Sequence, residues 1–193
     1  MARPEAGRGR AEALLEELTC EVPGLRVVHK EHDALSRLVD RVLRIVTLGG
    51  MREYMTRYTT VLGRTIYVPI GWDSRSDAER YITLRHEAVH LRQAKRMGML
   101  WMGFVYAVPI LPMGLAWGRA RIEWEAYAET LRAVAEVHGL EAARSPELRA
   151  HVVRQFTSPA YGWMWPFPRA VGRWIDAELD RIALSAERST GVA

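Results

Sequence analysis

The sequence predicts an α+β protein, mainly helical, with one small antiparallel hairpin. Three observations carry this expectation. Apolar residues recur at three- and four-residue spacing in several segments of helix length, residues 52–70 switch to β-branched and aromatic types around a glycine, and stop signals stand where the periodic runs end. With 193 residues, 49% hydrophobic and 26% charged, the chain has enough apolar material to bury a sizeable core.

Residues 1–21 open with arginine and glycine and continue as a short amphipathic helix through Leu14, Leu15 and Leu18, which Pro23-Gly24 breaks. This segment lacks the uninterrupted apolar run of a signal peptide. A second helix is expected over 33–48, with Leu35, Leu38, Val39, Val42, Leu43 and Val46 as its apolar face and Gly49-Gly50 as its end. Both helices read as scaffold. Tyr54, Tyr58, Thr59, Thr60 and Val61 then lead to a turn at Gly63, and Thr65-Ile66-Tyr67-Val68 follow it, which reads as a hairpin with Pro69 at a strand end.

Ser76-Asp77-Ala78-Glu79 is a capping box, since the hydroxyl and the Glu79 carboxylate can each satisfy a backbone donor of the first turn. Asp77 and Glu79 suit the positive end of the helix dipole, while Arg92, Lys95 and Arg96 suit the last turns before Gly98. A helix is therefore expected over 77–97, packed inward through Ile82, Val89 and Met97 with Ala78 and Ala94. Residues 97–118 carry no charge; Pro109 and Pro112 break this run and Arg96 and Arg119 flank it. It reads as a buried helix-turn segment or a flap, with membrane association as the alternative. A strongly helical run follows over 119–138, closed by Gly139. The aromatic and proline-rich stretch 158–168 reads as an ordered loop, and a final helix over 171–186 directs Ile175, Leu179 and Ile182 inward.

The net charge of +4 comes almost entirely from arginine, Lys30 and Lys95 being the two lysines. The arginines alternate with acids and gather into no basic run, and neither a zinc-finger spacing nor a glycine-rich phosphate loop is present, so no nucleic-acid partner is expected. A lone cysteine, Cys20, excludes an internal disulfide and a cysteine-rich structural metal site. A cytoplasmic location, with contact at the membrane surface as a variant, fits these features.

The chemistry concentrates in His86-Glu87-Ala88-Val89-His90, within the predicted 77–97 helix. Residues four apart share a helix face, so His86 and His90 can offer two imidazoles to one ion, while Glu87 sits at the margin of that face, within reach of a water activated there. By chance alone the five-residue pattern arises on the order of once in a hundred or more chains of this size. A third ligand is needed, and Arg121-Ile122-Glu123-Trp124-Glu125-Ala126-Tyr127, on the predicted 119–138 helix, is the best source. The bland alternative is a solvated His/Glu/His face, with Glu123 and Glu125 paired to Arg119, Arg121 or Arg132.

The two segments together resemble the zincin metallopeptidases, in the branch whose third zinc ligand is a glutamate on a later helix. In the membrane-associated heat-shock and prenyl-protein proteases of that branch the second motif is E-x-x-A-D, which Glu123-Trp124-Glu125-Ala126-Tyr127 matches at the glutamate and the alanine. Tyr127 is the departure, standing where the family has aspartate. The resemblance covers about residues 76–130. It implies a zincin-like core over 51–140, an N-terminal helical scaffold over 1–50, and a C-terminal helical and aromatic segment over 141–193 in the same domain.

The resemblance further implies a Zn2+ ion held by His86, His90 and Glu123, with Glu125 as the second choice of carboxylate, and hydrolysis of a peptide or protein substrate with Glu87 as general base. Tyr127, His151 and Tyr161 are candidate donors to the tetrahedral oxyanion. Gln93, three residues beyond His90, is a candidate support for a ligand. Thr65–Val68 would be the edge strand that holds an extended substrate. The competing reading is a latent or inactive zincin fold that binds peptides or acts as a membrane-associated interaction protein.

Overall fold

The computed structural model describes residues 9–46, 53–98, 117–158 and 164–190. It is mostly helical with a small sheet, an α+β protein. The chain divides into two compact units, 1–99 and 100–193. The greater part of the charge-free run, 99–116, and Tyr161 of the aromatic loop lie outside the described residues.

In the first unit, helix α1 (Arg10–Glu21) buries Ala11, Leu14 and Leu18. Its N-cap is Gly9, which has no side chain to receive the first backbone donors. Asp77 supplies that acceptor from far along the chain: its carboxylate takes the N–H groups of Arg10 at 2.8 Å and Ala11 at 3.1 Å. A Cβ at residue 9 would run into that carboxylate, which accounts for glycine there. At the other end the Arg92 guanidinium grips the Glu21 carboxylate with two nitrogens, at 2.9 and 3.0 Å. Asp77 and Arg92 both belong to helix α3 (Asp77–Met97), so α1 lies alongside α3, in the same direction, pinned at both ends.

Three strands form a mixed sheet in the order β1-β3-β2: β1 (Arg26–His29), β2 (Thr60–Leu62) and β3 (Thr65–Val68). The expected hairpin is β2 and β3, antiparallel across the two-residue turn Gly63-Arg64, with Gly63 at φ +62° as a tight hairpin turn requires. Strand β1 is an addition the sequence reading does not contain, and it pairs parallel to β3. The expectation of Thr65–Val68 as a substrate-binding edge is therefore overturned. With neighbours on both sides, β3 has no free ladder, and its Ile66 and Val68 are fully buried.

Helix α2 (Ala34–Val46) begins at Asp33, whose carboxylate accepts the Ser36 N–H at 2.6 Å. Of its expected apolar face, Leu35, Leu38 and Val42 are exposed and Val39 is partly buried, whereas Ser36 and Asp40 are buried; the side chains of Leu43 and Val46 lie outside the described ones. The physical reason lies in Lys30, which is completely buried in the short 3-10 turn after β1. A buried ammonium needs acceptors and a counter-charge. It donates to the carbonyls of Tyr54 (3.0 Å) and Tyr58 (2.7 Å) and to the Thr60 hydroxyl (3.1 Å), and lies 3.6 Å from the centre of the Tyr54 ring. Asp40, turned inward, adds part of the counter-charge.

Helix α3 has the expected limits, with the complete Ser76/Glu79 capping box at its start and Gly98 at its end. Its core stripe differs from the expected one: Tyr81, Leu84, Ala88 and Leu91 are buried, while Ile82, Val89 and Met97 are only partly so.

The second unit is helical throughout its described residues. Helix α4 (Trp117–His138) is followed by the short α5 (Leu140–Ala143), then α6 (Pro146–Thr157) and α7 (Pro168–Thr190). The start of α6 is set by the Ser145 hydroxyl, which accepts the Leu148 N–H at 3.3 Å, and by Pro146 in the first turn. Its core gathers Leu131, Val152, Phe156, Met164, Val171 and Ile175, with Trp124, Trp165 and Trp174 packed against them. Arg132 of α4 and Arg181 of α7 both contact the buried Glu178 carboxylate at 2.5 Å.

Candidate metal centre

Helix α3 buries residues on two sides. Tyr81, Leu84, Ala88 and Leu91 form the apolar stripe, and His86, His90 and Gln93 stand on the opposite side of the helix. His90 and Gln93 are buried and His86 is partly so. The two imidazole rings stand 5.0 Å apart, inclined at 72°. Glu87 falls between the stripe and the imidazoles and is also buried, at 5% exposure, an unusual place for a carboxylate that served only to solvate a helix.

His90 Nδ1 lies 3.0 Å from Gln93 Oε1. An amide oxygen can only accept, so this contact favours the tautomer with the proton on Nδ1 and the lone pair on Nε2.

On α4, Glu123 is buried at 6% exposure. One ligand atom from each of His86, His90 and Glu123 lies within 4.8 Å of the others, a group that can hold a metal ion. Two neutral imidazoles and a carboxylate form a donor set suited to zinc or a similar divalent ion. Glu125, the second-choice carboxylate, is two residues on and pairs with Arg121 at 3.5 Å. It is no part of the group.

The oxyanion candidates stand as follows. Tyr127 lies one helical turn beyond Glu123 on the same face of α4 and is buried in the core of the second unit, its ring 5.7 Å from Phe156 and 6.5 Å from His151. His151, on α6, is partly buried, with Nε2 3.4 Å from the Gln155 amide nitrogen. Tyr161 lies outside the described residues. His29 sits 3.8 Å from Asp73, His32 is paired with Glu31 at 3.3 Å, and His138 is exposed, so none of these joins a cluster.

One charged group near the centre escapes sequence reasoning. Burial lowers the Lys30 ammonium to a pKa of about 8, and the negative charges of Glu87 and Asp40 hold it from falling further. Lys30 thus shares the interior of its unit with the glutamate of the HExxH motif. Its scarcity, one of two lysines in an arginine-rich chain, is the faint signal that the sequence offers.

Comparison with known proteins finds no matching family model, no matching curated protein and no matching solved structure.

Proposed function

We propose that this protein is a zinc-dependent metallopeptidase of zincin type, with His86, His90 and Glu123 as metal ligands and Glu87 as general base. The observation that carries the reading is the grouping of the three ligand atoms within 4.8 Å. An HExxH pentapeptide can occur by chance; a buried glutamate from a separate helix beside it supports the metal reading over the chance one. The Gln93 contact that sets the tautomer of His90 adds support, because ligating histidines characteristically give their second nitrogen's proton to such a partner.

When bound, a divalent ion supplies a Lewis acid that polarises the scissile carbonyl and makes water acidic enough to attack at neutral pH. Glu87 takes the proton of the attacking water and delivers it to the departing amide nitrogen, closing the proton balance of hydrolysis. Its buried position excludes bulk water from that transfer. Tyr127 and His151 are the described candidates for donating to the oxyanion. An extended substrate would pair with one of the outer strands, β1 or β2, since β3 is covered on both sides.

The test combines elemental analysis of purified protein with cleavage of a mixed peptide library. Wild type is expected to carry close to one zinc per chain and to cleave, Glu87→Ala to keep zinc and lose cleavage, and Glu123→Ala to lose zinc. Metal-free wild type after purification in zinc-containing buffer, or cleavage by Glu87→Ala at the wild-type rate, overturns the proposal.

A further inference from the structure

Helix α2 offers the outside of its unit a face that a helix ordinarily buries. Leu35, Leu38, Val42 and Ile45 are 43%, 56%, 49% and 74% exposed, nearly half of the nine large apolar side chains exposed among the described residues. Their spacing of three, four and three residues sets them in one continuous arc along the helix. Arg37, Arg41 and Arg44, spaced by four and three, form a second exposed arc beside it. Ser36 and Asp40 fill the buried side.

The charge on this surface is positive. Arg37 donates to the Glu31 carbonyl at 2.9 Å, a contact that leaves its charge uncancelled, and Arg44 pairs with Asp40 at 2.8 Å. Within the helix three guanidiniums therefore face one carboxylate. The apolar arc is wholly aliphatic, without the tryptophan or tyrosine anchors that usually concentrate binding energy at a protein interface. An aliphatic arc flanked by arginines is instead the pattern of a helix that lies flat at a membrane surface, with its carbon chains among the acyl tails and its cations among the phosphates. At 13 residues α2 is about 20 Å long, enough to lie along a bilayer and too short to cross one. No helix among the described residues is long and apolar enough to cross a membrane.

We infer that α2 docks the protein onto an anionic lipid surface, through Leu35, Leu38, Val42 and Ile45 in the interface and Arg37, Arg41 and Arg44 against the headgroup phosphates. This inference is independent of the metal centre, and its test needs no enzymatic readout.

The experiment is flotation of the purified full chain with phosphatidylcholine vesicles and with vesicles that also contain phosphatidylglycerol, at low and high salt. Wild type is expected to float with the anionic vesicles, weakly with the neutral ones, and less as salt rises. The triple variant Leu38→Ser/Val42→Ser/Ile45→Ser is expected to lower partitioning at least tenfold. Arg37→Gln/Arg41→Gln is expected to lower it roughly tenfold or more on anionic vesicles only. All five changes fall on exposed positions, and circular dichroism should show unchanged helix content. Three results overturn the inference: wild type that does not float on anionic vesicles, a triple variant that floats as well as wild type, or a triple variant whose sole change is conversion of a dimer to a monomer in sedimentation. The second result would assign lipid binding to another part of the chain, and the third would assign the face to a second copy.

Discussion

His90 and Gln93 are joined ring to amide, Nδ1 to Oε1 at 3.0 Å, on consecutive turns of one buried helix face. The contact favours the tautomer that carries its proton on Nδ1. Gln93→Ala is expected to weaken metal binding by about ten- to a hundredfold, the usual range for losing such a support, while the metal content in excess zinc stays near wild type. Competition against a chelator of known affinity measures it. Unchanged affinity would show that the contact does not orient His90.

The two glutamates of α4 should separate cleanly. Glu123→Ala is expected to abolish tight zinc binding, whereas Glu125→Ala, which removes the pair with Arg121, should leave metal content unchanged and cost less than about 1 kcal/mol of stability. Elemental analysis together with denaturant unfolding distinguishes the two.

Lys30 gives a pH signature. Its ammonium titrates near 8 in the folded protein and near the usual 10.5 in the unfolded chain, so between those values the unfolded state holds more protons and stability rises with pH. The cost of burying the charge is fully present below pH 8 and is relieved by pH 10.5, a change on the order of 3 kcal/mol. Lys30→Met should lack this rise. It should also be about 2–4 kcal/mol less stable than wild type at neutral pH, because the Tyr54 and Tyr58 carbonyls lose their donor. Unfolding midpoints of the two proteins across this pH range test both parts, and parallel curves would refute the assignment.

In the second unit, Glu178 faces Arg132 and Arg181 from a fully buried position, but both arginines are about half exposed and can recover water. Glu178→Gln is therefore expected to cost about 2 kcal/mol, below the range for breaking a wholly buried pair. Thermal unfolding in low and high salt reads it, and a stability loss under half of that value would place the pair among ordinary surface contacts.

Local chemistry was legible where it was self-contained. Ser76, Glu79 and Gly98 mark both ends of α3, and His86, His90 and Glu123, singled out as residue types able to ligate a metal, come together in one group. What escaped depends on distant partners. The four-residue β1 shows no alternation, and it is a strand because β3 pairs with it. The periodicity of α2 reveals an apolar face but not which way it turns, since that depends on a buried lysine that draws Asp40 inward. Helix α6 is different: Ser145 and Pro146 are start signals that the sequence itself carries.

The attachment of α1 along α3 has a practical corollary. Asp77 and Arg92 bracket the segment that bears His86 and His90, and each is occupied by a group from the first 21 residues. Trimming the chain beyond Gly9 would strip the brace from helix α3, leave Asp77 and Arg92 without these counterparts and uncover the side that Leu14 and Leu18 now shield from solvent. Deletions made for convenience at this end would therefore be felt at the imidazoles, although no atom removed lies in the motif.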